Sequence, residues 1–306
     1  MRVTPPLTPS GRGDEQMPDI GGQSVRRRRL AAELRRLRER TGLTGDQVAE
    51  RLDWSGSKIS RIELNRIGVK LSDLTKLLDL YGVSPAHRED LQALAQESSQ
   101  AGRLESATAG LPANYTDYLA AENEAQSIWN WNPFAIPGLL QTEAYARVVH
   151  RAFQSMFRLP PGDAERRIEI RRVRQQLLSR NPPPDLSVVI DESVLHRNFG
   201  GKAVMREQLL RLTELSQLPN VQILVFPLDG EHTVTPGPFS YMQFLQIHAI
   251  PLHDIVAVEH LTGSYYLEDE EQTFQYRVSF EWLAENSLTP EQTSDLITEA
   301  VRGTWS

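Results

Sequence analysis

The stretch "GLTGDQVAERLDWSGSKISRIELNRIG", residues 42–68, carries two short apolar patterns about a turn. Thr44-Gly45-Asp46-Gln47 has the S/T-x-x-E/Q form of a capping box, and it starts a helix that turns Val48, Ala49 and Leu52 inward. Asp53-Trp54 forms the turn, with Asp tolerating a left-handed exit. Ser55 then caps a second helix whose apolar residues are Ile59 and Ile62. A small residue at the crossing point, a tight turn and an apolar lock are the requirements of a helix-turn-helix. That geometry sends the start of the second helix outward, where Ser55, Gly56, Ser57 and Lys58, with Arg61 one turn on, reach base edges in the major groove of double-stranded DNA.

The flanks extend the pattern. Helical periodicity runs from Val25 to about Arg40 with Leu30, Leu34 and Leu37 on one face. A fourth helix is expected over Ser72 to Tyr81, and Ser84-Pro85 opens a fifth. Residues 1–23, rich in Pro, Gly and polar side chains, are expected to be a disordered tail. The whole chain of 306 residues has a net charge of -7, but residues 24–70 hold 13 Lys+Arg against 6 Asp+Glu, a net of +7, which leaves -14 on the remainder. A basic module that meets a polyanion, joined to an acidic body, is the implied organisation. Arg26, Arg27, Arg28 and Arg29 are expected on phosphates, and Thr44 and Arg66 complete the candidate DNA-binding set.

"LAAELRRLRERTGLTGDQVAERLDWSGSKISRIELNR" resembles the Xre class of Cro and phage-repressor DNA-binding domains, over about residues 25–95 and most specifically at "SKISRIE". The class usually carries Gln or Glu after the capping Thr and Gln after the capping Ser, where this chain has Gly45 and Gly56. Readout should therefore rest on Ser57, Lys58, Arg61 and DNA shape, with Gly56 allowing close backbone approach.

Residues 98–111 lose periodicity and read as a linker between a helix-turn-helix domain, 24–97, and a larger domain, 112–303. Few contacts should cross it. Beyond it, helical stretches at about 114–127, 141–156, 163–180, 202–217, 269–286 and 290–302 alternate with the short apolar runs "LSVVI", "VQILVF", "FSYMQFL" and "DIVAVEH". The fold class expected is multidomain: an all-α five-helix domain followed by an α+β domain with one central sheet. Absent cysteine excludes disulfides and thiolate metal sites, and no apolar run approaches a membrane span, so a cytoplasmic protein is expected.

"NPFAIPGLLQTEAYA", "IDESVLHRNFGG", "VQILVFPLDGEH", "GPFSYMQF" and "VEHLTGSYYLED" together resemble the C-terminal domain of actinobacterial regulators of the WhiJ type. That resemblance implies an antitoxin-like regulator with a small protein partner encoded by an adjacent gene. A homodimer is expected because one reading head covers little sequence. A rival expectation is a small-molecule sensor with Trp129, Trp131, Tyr145 and Tyr265 as pocket walls. Catalysis is not expected: His196, His232, His248, His253 and His260, with Asp191, Glu192, Asp254 and Glu259, lack diagnostic spacing, and Asp254 and Glu259 point to opposite strand faces. No cofactor or metal is expected. "IRRVRQQLLSR" reads as a solvated amphipathic helix.

Overall fold

The computed structural model describes residues 25–100, 113–156, 163–230, 235–245, 253–260 and 263–306. The expected tail and most of the expected linker lie outside these. Helices α1 (Val25–Arg40), α2 (Gly45–Leu52), α3 (Gly56–Glu63), α4 (Leu71–Leu80) and α5 (Pro85–Gln100) form the N-terminal unit. Their core is the inward set that the spacing implied: Leu30, Leu34, Leu37, Val48, Ala49, Ile59, Ile62, Leu74, Leu77 and Leu78 are all buried against one another. Helix α5 runs on to Gln100, past the expected start of the linker at 98.

The second unit contains α6 (Ala113–Glu124), α7 (Glu143–Met156), α8 (Asp163–Gln175), α9 (Ser193–His196), α10 (Lys202–Leu215), α11 (Glu270–Glu285) and α12 (Pro290–Arg302) around one six-stranded sheet. Its strands are β1 (Ser127–Asn132), β2 (Asp185–Asp191), β3 (Val221–Phe226), β4 (Phe239–Gln243), β5 (Ile255–His260) and β6 (Gly263–Leu267), in the order β3-β2-β1-β4-β5-β6. The β1–β2–β3 half is parallel, and β4, β5 and β6 join antiparallel.

Period-two alternation divides the sheet between two cores. Leu186, Val188 and Ile190 of β2 meet the layer built from α6, α7, α9, α10 and α12. Val189, Trp131, Tyr241 and Val256 face the other way, onto Phe280 and Leu283 of α11. Trp129 stacks between Tyr241 and Phe280, with ring centroids 5.2 and 5.1 Å away.

Two strands depart from the expected map. "SIWNWN" was expected to continue the helix to 127 and then supply pocket walls; it is β1, with Trp131 fully buried and its Nε1 donating to the Pro236 carbonyl at 2.9 Å. Its polar alternate residues mask the apolar signal that short strands normally give. Strand β6, "GSYYL", was also not expected: among the described residues it is an edge strand paired with β5. Ahead of α7, the expected Pro137-Gly138 turn is a short 3-10 turn (Gly138–Leu140), and the Tyr145 amide donates to Thr142 Oγ1 at 3.2 Å.

Candidate nucleic-acid interface

The local sequence fixes each wall of the helix-turn-helix. Thr44 Oγ1 accepts from the Gln47 amide at 3.2 Å while the Thr44 amide donates to Gln47 Oε1 at 2.9 Å, so the capping box closes in both directions. Asp53 ends α2 in the left-handed region at φ 56°, which lets the Trp54 amide reach back to the Ala49 carbonyl at 2.8 Å. Ile59 and Ile62 hold α3 against the core, leaving Ser55, Ser57, Ser60 and Arg61 exposed on its other side. Arg38 ties α1 to the far end of α3: its guanidinium donates to both oxygens of Glu63, at 2.7 and 3.0 Å, and to the Leu43 carbonyl at 2.8 Å. The Glu63 hydrogen bonds hold Arg38 above its ordinary pKa.

Each candidate contact has a definite place. Thr44, Ser55, Ser57, Arg61 and Arg66 are exposed. Arg61 Nε donates to the Ser57 carbonyl at 3.2 Å, and the side chain is exposed. Ser55 marks the start of α3, but its side chain does not cap it; Ser55 Oγ lies 3.1 Å from Ser57 Oγ. Lys58 is turned inward from the expected surface: its Nζ pairs with Asp73 of α4 at 2.9 Å and lies 3.5 Å from the centre of the Trp54 ring. Gly56 is tightly approached by protein: a Cβ there would sit 2.5 Å from Asp46 Oδ1.

The arginine run of α1 is a correction. Arg28 pairs with Asp117 of α6 at 2.8 Å and with Glu268, just past β6, at 2.7 Å, and its guanidinium lies 5.6 Å from the Tyr266 ring centre. Arg29, only 2% exposed, donates to the Leu245 carbonyl at 2.7 Å. Arg26 stands 3.9 Å from Glu124, and Arg27 packs beneath Gly68. In this arrangement Arg28 and Arg29 are bonded to the second unit rather than turned out to solvent. Burial lowers the Arg29 pKa, with the charge of Glu124 acting in the opposite direction. The contacts between the two units concentrate on these side chains of α1.

The chain matches a family model for a helix-turn-helix domain over residues 29–91. A second match, to the domain of unknown function DUF5753, covers residues 115–299, more than half of the chain. The chain belongs to the DUF5753 family. Neither the curated proteins nor the solved structures yielded a match. The helix-turn-helix match makes this DUF5753 protein a DNA-binding regulator in outline.

In the DUF5753 domain, the aromatics expected to wall a pocket mostly pack the core: Trp131 and Tyr145 are fully buried, Trp129 is sandwiched, and Tyr265 alone is largely exposed, on β6. Asp254 accepts from Tyr241 at 2.5 Å, a structural bond. His196 lies 3.8 Å from Glu192; His232 and His248 are outside the described residues. Among the described residues no three His, Cys, Asp or Glu side chains converge as a metal site, and no helix is long and apolar enough to cross a membrane. The helix "IRRVRQQLLSR" is less solvated than expected. Arg174 forms a bidentate pair with buried Glu122, at 2.7 Å for each bond, and Arg171 donates to Gln141.

Sequence reasoning missed the acidic partners of the seam, Asp117, Glu124 and Glu268. Their signal was present in the excess negative charge beyond residue 70, which the sequence shows as an acidic body without naming α1 as its counterpart.

Proposed function

We propose that the chain is a cytoplasmic, sequence-specific transcriptional regulator. It reads DNA with the first turns of α3, and its access to the DNA backbone is governed by the DUF5753 domain. The exposed row Ser55, Ser57 and Arg61, opposite the buried pair Ile59 and Ile62, carries the first half of this reading. Arg61 serves as donor to a guanine edge, Ser57 as a short-range contact to base or phosphate, and Thr44 and Arg66 as phosphate contacts that set the register. Lys58 joins only if it leaves Asp73.

The seam supports the second half. While Arg28 is held by Asp117 and Glu268, and Arg29 by Leu245, these cations are withheld from phosphate. Whatever loosens α6 or the Leu245 segment frees them. Affinity then rises through counterion release, without any change at α3. The resemblance to WhiJ-type, antitoxin-like regulators supports a small protein from an adjacent gene as the agent, and a two-fold dimer on a palindromic site as the DNA-bound form. Random-site selection with the full chain, followed by titration of the adjacent gene product against the selected duplex, tests both halves. Enrichment of a defined site, with affinity altered by the partner, is expected. Binding without any sequence preference would overturn the first half, and indifference to the partner would remove it as the agent.

A further inference from the structure

The approach of Asp46 to Gly56 is not explained by packing. Asp46 lies in the first turn of α2, is exposed, and brings Oδ1 to within 2.5 Å of where a Cβ on residue 56 would be. Helix α3 has no acidic residue in its own first turn, and Ser55 gives it no side-chain cap. The partial positive charge at that terminus therefore favours the Asp46 carboxylate beside it, and glycine leaves the room for it.

The same position lies at the end of α3 that enters the groove. A carboxylate here cannot serve a phosphate; like charges repel, so the anion site that a helix N-terminus usually offers is closed. A carboxylate accepts only, and in the major groove the exocyclic amines of cytosine and adenine are the donors. Adenine sets its N7 acceptor beside that amine, which would face the carboxylate with a second negative edge. Cytosine has no such neighbour. We propose that Asp46, held in the space left by Gly56, is a specificity-determining residue that accepts a hydrogen bond from the N4 amine of a cytosine. The operator then carries a G·C pair with cytosine presented at that place, next to the base read by α3.

This inference rests on the DNA-binding reading above, and one experiment separates the two. Random-site selection is run with the full chain as wild type, Asp46→Asn, Asp46→Ala and Gly56→Ala, with circular dichroism to confirm that each is folded. In wild type one column of the selected site is expected to be cytosine. Asp46→Ala should lose that column, with discrimination there falling by about 5-fold or more, the lower end for a good base contact, and Asp46→Asn, whose amide donates as well as accepts, should admit adenine there. Gly56→Ala should lose the same column, because its Cβ displaces the carboxylate, while the columns read by Arg61 persist. Retention of the cytosine column in folded Asp46→Ala overturns the inference and leaves Asp46 as a structural charge at the end of α3. No enriched site in wild type overturns the DNA-reading function as well.

Discussion

Asp117→Asn removes one charge from the seam while keeping the side chain's size. Asp117 is 1% exposed and its partner Arg28 10%, so the change strips a desolvated guanidinium of its most buried counter-ion. Removing one partner of a buried pair costs about 3–5 kcal/mol. Arg28 keeps Glu268 at 2.7 Å, itself 46% exposed, which places the cost near the low end, about 3 kcal/mol. Taken against the docked arrangement, that raises the undocked population by about 100-fold. Each arginine released onto a phosphate steepens the dependence of log affinity on log salt by about 0.9. With two or three of Arg26, Arg28 and Arg29 released, the slope should become more negative by roughly 2 to 3 units and affinity at low salt should rise. The assay is fluorescence anisotropy of a labelled duplex titrated with full-length wild type and Asp117→Asn across a salt series. A folded Asp117→Asn protein with wild-type affinity and slope would refute the idea that the seam withholds these arginines.

Asp73→Ala should free Lys58 and tighten DNA binding by up to about 5-fold, the ceiling for one exposed charge contact; the gain should vanish when Lys58→Ala is added, as measured by the same anisotropy titration. Glu33 predicts the pH response of the N-terminal unit. Burial pushes its pKa up, but hydrogen bonds from Arg36 at 2.7 Å and His87 at 2.8 Å prevail and hold it below the ordinary value. Because the folded value is depressed, its stabilisation is present above the unfolded Glu pKa of about 4.3 and is lost as pH falls through the folded value. Thermal melts from neutral pH downward should show this loss, and Glu33→Gln should show a shallower decline over the acid range. Trp131→Ala empties a fully buried position and orphans the Pro236 carbonyl, so urea denaturation should report a loss of about 3–5 kcal/mol.

The helix-turn-helix was legible because its signals are local. A capping box, a turn residue that accepts a left-handed conformation and apolar residues at helical spacing are written within one stretch, and Thr44, Asp53, Ile59 and Ile62 behave accordingly. Strands β2, β3, β4 and β5 were legible as apolar runs between punctuation. Strand β1 was not, since Asn130 and Asn132 interrupt its run and Trp131 finds its hydrogen bond at Pro236, far along the chain. The fates of Lys58 and Arg28 were illegible for a related reason. A cation's partner is set by tertiary proximity, and neither Asp73 nor Asp117 stands at a spacing that announces it. The total charge of each half was readable; that the two halves would neutralise each other required the fold.

Arg61→Ala tests the central claim most directly, because Arg61 is exposed, belongs to α3, and takes no part in the seam. The measurement is affinity for the selected duplex and for a scrambled one, at a salt concentration where wild type is half bound to the selected site. A guanine-reading arginine predicts a loss of about 1–3 kcal/mol on the selected duplex with relaxed preference at one base pair, and little change on the scrambled one. Equal affinity of wild type and folded Arg61→Ala for the selected duplex would contradict the account.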